Sequence, residues 1–202
     1  RRARMLLPLI YLIRHGLNEE VDLSGDILII DSFPVPVCQP IRNRRAKIFR
    51  SYADIGYKAT KKIYYYGFKV HAIVSDDGYL LDYIVTKASV HDAKETVELI
   101  TNAHPDNRYL LGDEGYLGKN LHQRLEQMGY TLWTPYRKNM KNAQKHNKHY
   151  LMALRRTIES DFSLLSYYNA ENNRARSLAG FQERLEVAIL AYNMAYCLER
   201  FN

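Results

Sequence analysis

Apolar and polar positions follow two different periods along this chain, and the changes of period mark its elements. Ile27-Leu28-Ile29-Ile30 is a continuous apolar run between Gly25 and Pro34, short and β-branched enough to predict a buried strand ending at Asp31. Tyr64 to Ser75 and Tyr79 to Lys87 predict a second and a third strand, joined as a hairpin through Asp77-Gly78. From there helix and strand signals alternate. Ala93 to Ala103 predicts a helix, Arg108 to Gly112 a strand, Lys119 to Met128 a helix closed by Gly129, and Tyr130 to Thr134 a strand stopped by Pro135. Leu151, Leu154, Ile158, Phe162 and Leu165 recur at spacings of three and four, so Tyr150 to Leu165 reads as an amphipathic helix. A last helix over Gly180 to Arg200 carries Leu185, Ala188, Ile189, Tyr192 and Tyr196 on one side, and Leu6 to Leu17 reads as the end of a helix begun earlier. A hairpin followed by alternating strands and helices is an α/β pattern with a mixed sheet flanked by helices. Pro34, Pro36 and Pro40 forbid a helix after the first strand, and predict an extended loop there.

Three acids stand out by position. Asp31 closes the first strand and Asp113 follows the strand Tyr109-Leu110-Leu111, with Gly112 before it and Glu114-Gly115-Tyr116 after it. Glu159 lies one residue beyond Ile158, about 100 degrees round the helix and near the edge of its apolar stripe. Three carboxylates from separate elements suit a site for two divalent ions about 3.5 to 4 Å apart, which clamp the attacking and leaving oxygens of a phosphodiester. Against this stands the plain reading that most of the 22 Asp and Glu residues are solvated surface groups.

Charge sharpens the picture more through its distribution than through its total of +7. Between Pro40 and Lys62 eight basic residues, Arg42, Arg44, Arg45 and Lys47 among them, face Asp54 alone. Between Tyr136 and Arg156 seven basic residues, including Arg137, Lys138, Arg155 and Arg156, face no acid. Two basic segments on an otherwise acidic body suit a surface that tracks phosphates, the first crossing the mouth of the site and the second leading into Glu159. At 202 residues, 47% hydrophobic and 25% charged, the chain is expected to build one substantial core. No apolar stretch reaches the roughly 18 residues of a membrane span, so no membrane role is expected. Cys38 and Cys197 are far apart, without a CxxC pair, and are expected to be buried thiols in a reducing cytoplasm. His71 and His91 read as hydrogen-bonding groups rather than metal ligands, with His91-Asp92 starting a helix whose dipole suits the Asp92 charge. Tyr64-Tyr65-Tyr66 and Trp133 read as packing groups before they read as base-stacking platforms.

The motifs together are specific. Asp31-Ser32 with Pro34-Val35-Pro36-Val37-Cys38, Gly67-Phe68-Lys69-Val70-His71, His91-Asp92, Gly112-Asp113-Glu114-Gly115-Tyr116, and Arg155 with Glu159 resemble the DDE transposases of bacterial insertion sequences, from about Asp26 to about Tyr196. The resemblance implies a ribonuclease-H-like catalytic domain, with Asp31, Asp113 and Glu159 as the catalytic and metal-binding triad for Mg²⁺ or Mn²⁺. It implies a DNA substrate cut and joined at the element's ends, a homodimer on paired ends, and a bacterial cytoplasmic setting. Relatives often carry a Tyr, Arg, Glu and Lys series; here Met152 stands in place of the Tyr and Leu165 in place of the Lys. Because such proteins carry a helical region ahead of the catalytic domain, residues 1–25 are expected to be a remnant of one and residues 26–202 the DDE domain. Two other functions share the composition: a decayed or domesticated transposase fragment that holds DNA without cutting it, and a repair or RNA-hybrid nuclease of the same fold.

Overall fold

The structure, a computed structural model, describes residues 3–21, 23, 26–45, 47–58, 62–147 and 149–200; among these the side chains of residues 3, 4, 44, 45, 150, 155–157, 159–161 and 200 are outside the description. A six-stranded mixed sheet forms the centre. Its strands are β1 (Ile27–Cys38), β2 (Asp54–Lys58), β3 (Ile63–Ser75), β4 (Leu80–Lys87), β5 (Tyr109–Leu111) and β6 (Thr131–Trp133). β1 runs antiparallel to β3 along one edge of that strand, while β2 and β4 share its other edge end to end. On its far side β1 pairs in parallel with β5, and β5 in parallel with β6. Three strand pairings are thus antiparallel and two parallel, as expected when a hairpin is followed by crossover helices.

The helices are α1 (Leu7–Glu20), α2 (Asp92–Ala103), α3 (Lys119–Gln127), α4 (Ala143–His146), α5 (His149–Tyr167) and α6 (Leu178–Arg200). The period-two alternation of β1 assigns its residues to opposite faces. Ile29, Phe33 and Val35 join Ile158, Phe162 and Leu165 of α5 and Phe181, Leu185 and Ile189 of α6 in one core. Leu28 and Ile30 join Leu99 and Ile100 of α2 and Leu121 and Leu125 of α3 in the other. α1 packs against α6, anchored by Arg14, which is 1% exposed and binds Asp82 at 3.0 Å, Glu186 at 2.6 Å and the carbonyl oxygen of Leu81 at 2.9 Å.

Three expectations change here. β1 does not end at Asp31; it continues to Cys38, so Pro34 and Pro36 lie within a strand, opposite Lys69 and Gly67, and not in a loop across the site. Prolines two apart present their missing N–H groups to the same edge, and the β5 pairing stops at Ile29, so the ladder with β3 survives both. The basic segment after it is partly structured, first as a 3-10 turn over Pro40–Arg45 and then as β2, whose Ile55 and Tyr57 alternate with half-buried or buried neighbours. Cys38 and Cys197 are free and half-buried instead of buried. Gly67 is needed for a close crossing: a Cβ there would stand 2.3 Å from the Val35 carbonyl oxygen.

Candidate active site

Parallel pairing brings the first two acids side by side. Ile29 and Leu111 are the last paired residues of β1 and β5, and Asp31 and Asp113 each stand two residues further in the same direction. Asp31 shares the parity of Ile29 and Phe33, and therefore the face covered by α5. Its Oδ1 accepts from the Ser32 backbone N–H at 2.7 Å. Asp113 caps a 3-10 turn over Glu114–Tyr116, its Oδ1 accepting from the Gly115 N–H, also at 2.7 Å. Each carboxylate is thus oriented by a backbone donor.

α5 crosses the same face. Phe162 meets Phe33 with ring centroids 4.9 Å apart, and Ile158, one helical turn earlier, is fully buried in the same core. Glu159 is the next residue on that helix; its side chain, with those of Arg155 and Arg156, lies outside the described residues.

Beneath the two aspartates, on the α2 face, lies a polar cluster that sequence reasoning did not assign to the site. Asp92, first residue of α2, accepts on Oδ1 from the Ser32 hydroxyl at 2.7 Å and from Lys69 Nζ at 3.1 Å. Lys69 also donates to the Val90 carbonyl at 2.8 Å. His71, register partner of Ser32, is 1% exposed, shares a 2.9 Å hydrogen bond with Thr86 Oγ1, and keeps Nδ1 3.8 Å from Asp92. Burial lowers its pKa to about 4; Asp92 pulls the other way, but its Oδ1 already serves Lys69 and Ser32. Tyr116 is buried beside this group, and its phenol is pushed well above its usual range by burial first and then by the charges of Asp31, Asp92 and Asp113. The signal was present in the motifs Lys69-Val70-His71 and His91-Asp92, but Asp92 read as a helix-terminal charge, which it also is.

A family model described as the transposase DDE domain matches residues 22–194. The chain belongs to that family. Its mixed sheet, with antiparallel β1, β3 and β4 continued by parallel β5 and β6 and with helices packed on it, is the α/β architecture expected from the sequence. Among solved structures, the catalytic domain of Mos1 mariner transposase is similar over 96% of this chain and 93% of that one, at 11% identity and a TM-score of 0.35. That likeness is too loose to carry an argument. No curated protein matches the sequence.

For this DDE domain, the donor chemistry at Asp31 and Asp113 suits a hard divalent ion, since both offer carboxylate oxygens. Among the described residues no three His, Cys, Asp or Glu side chains stand close enough to hold an ion by themselves. The Asp31, Asp92 and Asp113 grouping is therefore not a ligand set, and Asp92 is occupied by Lys69. The second basic segment leaves the sheet at the acids' end, while the first leaves it seven residues beyond Asp31. β6 pairs Trp133 with Leu111, so the chain carrying Arg137 and Lys138 emerges next to Asp113, and both side chains are exposed. β1 runs on past Asp31 in the same direction to the turn bearing Arg42, which is exposed, as is Lys47 beyond it; the side chains of Arg44 and Arg45 are outside the described residues. Trp133 is half-buried and stacks on His146, which stacks in turn on Tyr136 at 3.7 Å. Tyr65 and Tyr66 are buried, as a packing role requires, while Tyr64 is 65% exposed. No helix among the described residues is long and apolar enough to cross a membrane.

Proposed function

We propose that this DDE domain is a metal-dependent transposase catalytic domain that cleaves and transfers the ends of an insertion sequence, with Asp31, Asp113 and Glu159 holding Mg²⁺ or Mn²⁺. The observation that carries this reading is the pair of aspartates at matching positions on adjacent parallel strands, on whose α5-covered face Ile158 packs one residue before Glu159. Such ions, when bound, stabilise charge developing at the phosphate and lower the pKa of an attacking hydroxyl. The protein's own part is to hold carboxylates of fixed orientation at one point and to keep phosphates beside it. Arg42, Arg44, Arg45 and Lys47 from the first basic segment, with Arg137, Lys138, Arg155 and Arg156 from the second, neutralise the DNA backbone without reading its sequence. The DNA consists of the element's ends and its target, and two copies of the protein act on paired ends.

The test is a nicking and strand-transfer assay on end-containing DNA with Mg²⁺ or Mn²⁺, comparing the native chain with Asp113→Asn. Expected is metal-dependent cleavage and joining that falls at least a hundredfold in the variant while DNA binding persists. DNA binding without cleavage by the native chain would instead identify a fragment that only holds DNA. A preference for RNA–DNA hybrids would point to a nuclease of the same fold.

A further inference from the structure

We infer that Asp92 is a positioning residue that sets the spacing and orientation of Asp31 and Asp113 for the metal. This rests on the proposed reading of those two aspartates as metal-holding groups. Each of them is oriented by one backbone N–H, Asp31 by that of Ser32 and Asp113 by that of Gly115. Asp92 faces both of those donor residues. Its Oδ1 accepts from the Ser32 hydroxyl at 2.7 Å, and its Oδ2 is on the side of Gly115 that a side chain would occupy: a Cβ added there would stand 3.4 Å from Asp92 Oδ2 and 2.8 Å from Asp113 Oδ1. One carboxylate on the α2 side of the sheet thus holds one orienting residue by a hydrogen bond and borders the other.

Asp92 is itself fixed. Lys69 Nζ pairs with it at 3.1 Å and is tied by a 2.8 Å hydrogen bond to the Val90 carbonyl, which pins the loop entering α2. Charge explains why an acid is used here rather than an amide. A carboxylate at the start of α2 is favoured by the helix dipole and by Lys69, and can accept from Ser32 and Lys69 on one oxygen while the other faces the Gly115 turn. Lys69 in turn balances a negative charge that would otherwise add to the repulsion between Asp31 and Asp113. A Cβ at Gly115 would meet Asp92 Oδ2 at ordinary contact distance but press on Asp113 Oδ1 at 2.8 Å, so a side chain there would displace the Asp113 carboxylate.

Groups that orient metal ligands characteristically change metal affinity by about 10- to 100-fold when removed. The test measures Mn²⁺ binding to the DNA-free protein by calorimetry, and the Mn²⁺ concentration giving half-maximal nicking, for the native chain, Asp92→Asn, Ser32→Ala and Ser32→Thr. Asp92→Asn and Ser32→Ala are expected to raise both Mn²⁺ values about tenfold or more, with cleavage recovering at saturating Mn²⁺; Ser32→Thr, which keeps the hydroxyl, is expected to match the native chain. Should Asp92→Asn fail to fold, Ser32→Ala against Ser32→Thr decides alone. Unchanged Mn²⁺ values, or losses that saturating Mn²⁺ does not recover, would overturn the positioning role while leaving the metal reading intact. A native chain whose Mn²⁺ binding is absent, or indifferent to Asp113→Asn, would overturn the metal reading itself and this inference with it.

Discussion

His71 is the hydrogen-bonding group its place in a strand suggested, and its burial gives it a consequence for stability. A histidine in a transposase-like motif invites a ligand role, yet its ring is buried against Thr86 and its pKa is lowered to about 4 by desolvation. The unfolded chain takes up this proton near pH 6.5 and the folded chain only near 4, so between those values the unfolded state binds more protons. Stability from this group is complete above pH 6.5 and is lost as pH falls toward 4, by about 3 kcal/mol at most. His71→Gln keeps a hydrogen-bonding partner for Thr86 and removes the titration. Urea unfolding at a series of pH values should therefore show a shallower acid loss in the variant; parallel curves for the two proteins would exclude His71 as the cause. The positions of Asp31 and Asp113 were legible in sequence because each follows an apolar run that had to be a strand. Asp92 was not, because its partners Ser32, Lys69 and Gly115 lie 60, 23 and 23 positions away and no local pattern connects them.

The elements themselves were largely readable, and the failures share a cause. Among the described residues, period and capping located every α-helix longer than about one turn and five of the six strands, but not the 3-10 helix over Pro40–Arg45. β2 was passed over because its five residues sit in a basic stretch, and β1 was cut short because prolines argue against a strand unless one edge is open. Edge status is a property of the sheet, not of the strand. α1 makes the same point through Arg14: read as the end of a helix begun earlier, it is bound into the sheet domain by an arginine with two buried acidic partners, Asp82 and Glu186, and Tyr83 donates to Glu186 as well. Burial opposes the Arg14 charge, but Glu186 and Asp82 more than offset it and its pKa is raised. Arg14→Met strands two buried carboxylates and should cost about 3 to 5 kcal/mol, read from the urea midpoint. Adding Asp82→Asn and Glu186→Gln to that variant should restore most of the loss. A single substitution costing under about 1 kcal/mol would show that the network does not hold the helix.

Across the molecule, charge and chemistry meet at one end of the sheet. The parallel strands deliver Asp31 and Asp113 there, and the chain leaves β6 there with Arg137 and Lys138 exposed. DNA affinity should therefore fall steeply with salt and carry little sequence preference of its own. Replacing Arg42, Arg137 and Lys138 together by Ala should reduce the slope of log affinity against log salt by about 2 to 3, equally on different sequences. An unchanged slope would remove these side chains from the DNA path. Hydrophobic period and turn chemistry act over a few residues, which is why the order of strands and helices could be read from the linear chain, while the family was suggested by the resemblance of its motifs. Register, edge and face depend on which segments meet, often a hundred positions apart, because pairing and burial are settled only when the sheet closes. That is where Asp31 gained Asp113 as a neighbour, Pro34 its place in a strand, and Asp92 its hydrogen bonds with Ser32 and Lys69.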